Sequence, residues 1–294
     1  MNQQLRLGTG SKGSANGEFN QPWGITFDSK NQQIIVSDDA NHRLQFFNQH
    51  DLTHLLSVGS YGTKLGQFNY NRGLCIQPFT NHLLVCDSDN HRVQVWSVDD
   101  DKVQPIYSFG RTGQSSHAKG EFNEPIGVCC SPDGSFSVAD YSNRVQRFDA
   151  SGRFLNTFGS QGKNEVQFQN PFDVCHLHHH FAPSSSASSL LLVTDYINSL
   201  LSIWSADGQH ITNIQMKGHP CGVCVDLNGF VNVSCYSSHV CIYDPRKSYQ
   251  LLQTLGDRYG SAPGQFNCPT GMCVDDLNTL MVVDRFNHRV QFFD

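Results

Sequence analysis

The sequence has no run of about 18 consecutive apolar residues, which excludes a membrane-spanning helix. Its first residues, Met1-Asn2-Gln3-Gln4, lack an apolar stretch, so no secretory signal is expected. It also lacks an excess of positive charge, with 20 Lys and Arg against 26 Asp and Glu and a net charge of −6. Such a molecule does not attract nucleic acid as a whole, and binding would need a local basic face. An even cysteine count is missing too. Most of the 11 cysteines lie in apolar, strand-like runs, among them Cys75, Cys129, Cys175, Cys224 and Cys273. That pattern argues against a disulfide framework and fits free thiols packed as small hydrophobes in a reducing, cytoplasmic setting. Finally, no stretch keeps a helical period. With 38% apolar residues and 20 Phe, the chain has enough to build a packed core, and the expectation is all-β.

What is present is a repeat. Asn41-His42-Arg43-Leu44-Gln45-Phe46-Phe47 returns at Asn90 to Trp96, at Asn143 to Phe148 without the His, and in full at Asn287 to Phe293. Degenerate copies begin at Asn198 and Ser238. Upstream of each copy stands a Phe-Asn turn followed by Pro and Gly, as in Phe19 to Gly24, or a remnant of it, His219-Pro220-Cys221-Gly222. A β-branched strand ending in Asp lies between the two signals: Asp38, Asp87, Asp140, Asp195 and Asp284, with Cys235 in the fifth copy. A further strand ending in Gly follows most copies. Each period therefore reads as four short strands, a to d, separated by turn residues. Units of about 45–50 residues with four strands are propeller blades. Six copies predict a six-bladed β-propeller, a single domain over residues 1–294. The chain stops after strand c of the sixth copy and begins with Leu5-Arg6-Leu7-Gly8, which reads as a strand d. The N-terminal strand is thus expected to close the last blade and complete the domain.

These residues resemble the NHL-repeat family, named for the Asn-His-Leu run that opens strand c. The resemblance extends over essentially the whole chain. It implies a six-bladed propeller of the kind found in tripartite-motif ubiquitin ligases, where several members bind single-stranded RNA on one face and others bind proteins. The fourth and fifth copies depart from the pattern by lacking the Arg, so whatever that Arg contacts must be absent or replaced there. No RING, B-box or coiled-coil segment is seen in this chain, so ligase activity is not expected of it.

A feature present in nearly every blade serves the blade, so the repeated Asp, Asn, His and Arg are expected to tie loops together by charge-assisted hydrogen bonds. Function is expected where blades differ. Loops d–a and b–c share one face of a propeller, the top. The variable top positions combine flat rings with cations: Trp23, Arg72, Tyr141, Phe172, Tyr196, Tyr236, Arg285 and Phe286, with Arg111, Arg258 and Tyr259 from d–a loops. Aromatic rings stack bases and Arg tracks phosphate, which suits single-stranded RNA. The same residue types form protein–protein hot spots, so an RNA and a protein partner both stand. Glu18, Glu121, Glu124, Glu165, Asp173 and Asp257 add negative charge to this face, whereas Asp99-Asp100-Asp101, Asp133, Asp207 and Asp275-Asp276 place more of it on the bottom.

An enzyme reading, a metal-dependent hydrolase or lyase, needs ligands converging at the channel top. The positions before the strand-a Gly are Trp23, Arg72, Ile126, Phe172, Cys221 and Thr270, with only Asp173 and His219 adjacent. No cofactor, metal, small-molecule substrate or membrane is expected, and the domain is expected to be a monomer. His176, His178, His179 and His180 alternate across a strand and lead into a Ser-rich insert, which reads as a solvated bottom loop. Cys221-Gly222-Val223-Cys224 has no second pair downstream and reads as core. Asn232-Val233-Ser234, a glycosylation pattern, is discounted because it falls in a strand.

Overall fold

In a computed structural model the described residues are 6–99, 102–177, 189–256 and 258–294. They form six four-stranded antiparallel sheets. Strand a of successive blades is Ile25–Asp28, Asn71–Ile76, Pro125–Cys130, Pro171–Leu177, Pro220–Val225 and Pro269–Val274. Strand b is Gln33–Asp38, His82–Asp87, Phe136–Asp140, Leu190–Asp195, Val231–Cys235 and Leu280–Asp284. Strand c is Arg43–Asn48, Arg92–Asp99, Arg144–Phe148, Leu200–Ser205, His239–Asp244 and Arg289–Phe293. Strand d is His54–Val58, Lys102–Gly110, Phe154–Phe158, His210–Gln215 and Gln250–Leu255, and in blade six it is the N-terminal Arg6–Leu7. Arg6 pairs with Gln291 and Leu7 with Val290, so the predicted closure is present. Leu5, His178, His179, His180, the Ser-rich insert, Asp100, Asp101 and Asp257 lie outside the described residues.

The core sits between blades. Phe19, Phe68, Phe122, Phe168 and Phe266, the Phe of each Phe-Asn turn, are all fully buried. Each wedges under the neighbouring strands; Phe68 stacks on Trp96 at 5.5 Å and Phe168 packs on Trp204 at 5.4 Å. Around the axis, the glycines of strand a permit close approach of the innermost strands. A Cβ on Gly24 would stand 2.3 Å from the Arg72 carbonyl oxygen, and one on Gly222 would stand 2.2 Å from that of Thr270. Two residues on, the same strands place Cys75, Cys129, Cys175, Cys224 and Cys273 around the channel, with Thr26 in blade one. All eleven cysteines are free, and burial pushes the Cys129 and Cys224 thiols well above their ordinary range, which keeps them inert. Cys221 and Cys224 are both buried, and Asn232 is 2% exposed inside its strand, as the sequence suggested.

The repeated polar residues are structural. Asp87 accepts hydrogen bonds from the Asn69 amide at 2.8 Å, Asn90 Nδ2 at 2.9 Å, Arg92 Nε at 2.7 Å and Gln94 Nε2 at 2.9 Å. Arg92 then donates to the Thr63, Lys64 and Gln67 carbonyls, which pins the d–a loop. Asp38 and Asp284 repeat the pattern with Arg43 and Arg289. The repeated His has a different task. His42, His91 and His288 stand in the left-handed region, at φ near 54°, 54° and 52°. Each turns Nδ1 toward the next blade and accepts an amide there, from Tyr70 at 3.2 Å, Glu124 at 3.1 Å and Gln21 at 3.1 Å. The last of these joins blade six to blade one. Blade four keeps the Asp without the Arg: Asp195 accepts from Gln169 and Asn198, and burial pushes its carboxyl up to about 6. Asp87→Ala would leave Arg92 buried without its counter-ion and is expected to cost about 3–5 kcal/mol in a denaturant titration. Affinity for a top-face ligand, corrected for folded fraction, should not change.

Candidate functional site

The top mouth of the channel is roofed by side chains from blades that are far apart in sequence. Trp23 of blade one reaches across the axis and stacks on Phe172 of blade four, centroids 5.1 Å apart. Phe172 stacks on Tyr196 at 5.3 Å, and Tyr196 on His219 at 4.9 Å. Tyr236 meets Tyr196 edge-on at 6.0 Å. Arg285 and Arg72 both lie over the Trp23 ring, 4.3 Å and 4.8 Å from its centroid. Arg285 also covers Phe286 at 5.0 Å. One continuous plate of four stacked rings therefore carries two guanidinium groups at one end. Stacking and cation–π contact hold it together, and His219 Nδ1 also lies 2.8 Å from the Tyr196 carbonyl oxygen while the Tyr236 amide donates to the His219 carbonyl at 2.9 Å.

The two cations share an acid. Asp39 is 1% exposed and lies 3.7 Å from Arg285 Nη2. Burial pushes its carboxyl up to about 7, against the opposing pull of Arg72 and Arg285. Arg72 has Asp89 at 3.8 Å and Glu124 at 4.0 Å, beyond hydrogen-bond reach. Arg72 Nε and Nη1 and Arg285 Nε have no hydrogen-bond partner. Both guanidiniums thus lie largely packed into the face, side chains 14% and 19% exposed, with these unpartnered nitrogens turned inward and Arg285 Nη2 donating to Gln21 Oε1 at 3.3 Å.

Of the residues expected from sequence, Trp23, Arg72, Phe172, Tyr196, Tyr236, Arg285 and Phe286 are brought together. Tyr141 is half-buried; burial raises the Tyr196 hydroxyl to about 12, with Tyr141 adding a lesser electrostatic push. Arg111, Arg258 and Tyr259 stand apart on exposed d–a loops, where the Tyr259 hydroxyl accepts from Asn267 at 3.1 Å. Sequence reasoning did not single out Asp39 or His219 as members of the site. Both occupy top-loop positions that vary between blades, which was the available signal. Asp173, placed among the top-face acids, faces the channel where other blades have Gly. Its carboxylate accepts the Val174 and Val223 amides, and burial pushes it up to about 7. Beneath the roof, a channel cavity of about 640 Å3 runs from Trp23 and Phe172 down to Pro78, Pro132 and Leu227 at the bottom. Among the described residues, no three of His, Cys, Asp and Glu converge at the channel top.

The family model described as NHL repeat matches residues 19–47, 72–96 and 266–293, which lie in blades one, two and six. The Protein brain tumor of Drosophila melanogaster is 29% identical over 147 residues, 49% of this chain and 14% of that protein. The Protein lin-41 of Caenorhabditis elegans is 33% identical over 93 residues, 31% of this chain and 7% of that protein. The chain thus matches only a small part of either relative's length. Among solved structures, a gluconolactonase from Xanthomonas campestris superposes with a TM-score of 0.65 at 14% identity, covering 94% of this chain and 86% of that one. Virginiamycin B lyase from Staphylococcus aureus gives 0.61 at 11% identity, covering 93% and 81%. These two share the fold alone. The chain is a six-bladed β-propeller that carries three matches to the NHL repeat and is similar over part of its length to these two animal proteins. No helix among the described residues is long and apolar enough to cross a membrane.

Proposed function

We propose that this domain is a non-enzymatic, cytoplasmic binding platform whose top face holds single-stranded RNA. The observation that carries the reading is the stacked plate Trp23–Phe172–Tyr196–His219 with Arg72 and Arg285 at one end. Bases stack on such rings regardless of identity, and the partly exposed guanidinium groups supply positive charge that suits phosphate. Selection from a random single-stranded RNA pool, with salt titration of the winners, tests it. A recurrent short motif is expected, with a slope of log K on log salt near about −1.4 for two neutralised phosphates. No enrichment would overturn the reading.

A protein partner is the second reading, favoured by apolar side chains on the same face: Tyr61 is 67% exposed, Tyr259 70% and Ile197 53%. A salt-insensitive complex on this face would support it, and recognition of ligase substrates would be its natural setting.

Asp39 gives the RNA reading a pH signature. Its carboxyl, normally near 3.8, sits at about 7 in the folded chain, so it is largely neutral below that pH and charged above it. The charge shared by Arg72, Arg285 and Asp39 therefore becomes more positive as pH falls through 7. RNA affinity, followed by fluorescence anisotropy, is expected to rise from about pH 8 to about pH 6. Asp39→Asn should bind at the low-pH level throughout. For stability the sign is the same: the folded state holds this proton more tightly than the unfolded chain, so its contribution is full below 3.8, is lost as pH rises from there to about 7, and changes no further above that.

A further inference from the structure

Blade five breaks the repeat in two places at once. Where blades one, two, three and six carry Asp on strand b and Arg and Gln on strand c, it carries Cys235, His239 and Cys241. Cys235 pairs directly with His239 across the b–c hairpin, as Asp87 does with Arg92. Cys241 follows two residues later and so projects to the same face as His239. One potential ligand atom from each residue lies within 4.8 Å of the others, the one such triad among the described residues.

The second break is the loop above. In blades one and two the d–a segment folds over this spot, and its carbonyls accept from Arg43 and Arg92. Before blade one's neighbour it runs through residues 59–70, whereas before blade five only residues 216–219 join strand d to strand a. The cover is missing, and a pocket of about 830 Å3 opens there, lined by His239 and Cys241 together with Lys217, Tyr243, Tyr249 and Thr254. The charge-assisted tie of the other blades and its lid are thus replaced together by three soft ligands and an opening.

We propose that Cys235, His239 and Cys241 bind a zinc-class soft divalent cation, with its fourth coordination position facing this pocket. Two thiolates and an imidazole match the ligand preference of Zn(II), and tetrahedral bonds of about 2.0–2.3 Å require only small side-chain adjustments from the observed spacing. His239 Nδ1 lies 3.2 Å from Ser237 Oγ and 3.4 Å from its carbonyl oxygen, contacts of the kind that orient a coordinating ring. The ion would join strands b and c of blade five, where Asp–Arg pairs do so in blades one, two, three and six. The sequence hides this triad from a search for paired Cys-x-x-Cys units, because its members come from both sides of a hairpin.

The test is titration of the reduced, chelator-treated chain with Co(II), followed by Zn(II) competition. One equivalent of Co(II) should produce thiolate-to-metal charge-transfer absorption that Zn(II) abolishes. Cys241→Ser and His239→Asn should each weaken binding by more than the roughly 10–100-fold that follows loss of an outer-sphere partner. Cys75→Ser, in the channel, should leave binding unchanged. Circular dichroism of each variant establishes that it is folded, and C235D/H239R/C241Q, which restores the side chains of the other blades, serves as a second metal-free control. Absence of the charge-transfer band in the wild-type chain would overturn the proposal. So would a band that persists unchanged in folded Cys241→Ser and His239→Asn.

Discussion

Replacing Arg72 and Arg285 together by Gln is expected to lower the affinity of the top face for selected RNA about 100-fold. Each guanidinium would supply a hydrogen bond to charged phosphate, about 1.5 kcal/mol or more per contact, and two such losses make roughly two decades. The two side chains act on one ring, Trp23, so the double variant should also flatten the salt dependence. Folding should survive. Arg72 and Arg285 lie at the surface of the plate, and the acid they share, Asp39, already holds its proton tightly enough to become neutral when they are removed. Anisotropy with a labelled winner RNA reads the affinity, and a melting curve run in parallel guards against unfolding. A double variant that melts and binds like the parent would mean that the ligand lies elsewhere on the propeller.

The second large effect concerns closure. Removing residues 1–10 is expected to lower the melting temperature sharply and broaden the transition. Leu7 is 3% exposed and packs with Phe19, Met281, Val283 and Val290, so it belongs to blades one and six together. Its truncation in Leu7→Ala alone should cost about 2–5 kcal/mol, or roughly 5–15 °C. Gly8 follows in the left-handed region at φ 85°, where a Cβ would stand 2.7 Å from the His288 carbonyl oxygen. The strand therefore cannot slip along its groove to compensate. Differential scanning calorimetry measures the effect. An unchanged melting curve after the deletion would show that the contacts of His288 and Thr270 with blade one suffice to close the ring.

Nearly all of the architecture was legible before any coordinate. Each blade is built from neighbours in sequence, and alternation, Gly and Pro turns and a recurring Asp–Asn–Arg set are local signals that repeat in phase. The same locality made the scaffold role of Asp38, Asp87 and Asp284 readable, because each bonds residues within its own blade. Even the closing strand was visible, since Leu5-Arg6-Leu7-Gly8 reads as a strand d standing ahead of the first strand a.

What the sequence could not decide is which variable residues meet at the axis. Trp23 and Phe172 belong to opposite blades, and only the diameter of the closed ring sets them 5.1 Å apart. Burial of Asp39 beneath two arginines, and the raised carboxyl that follows, depends on side chains from blades one, two and six converging on one spot. Arg111, Arg258 and Tyr259 had the right chemistry in the right loops, yet those loops leave them outside the plate. Likewise Cys235, His239 and Cys241 become one cluster only through hairpin register and the short loop before blade five. Sequence determined the repeating unit because a blade's stability is local. The sites had to wait for the tertiary structure, because they form where units far apart in the chain are brought together by closure of the ring.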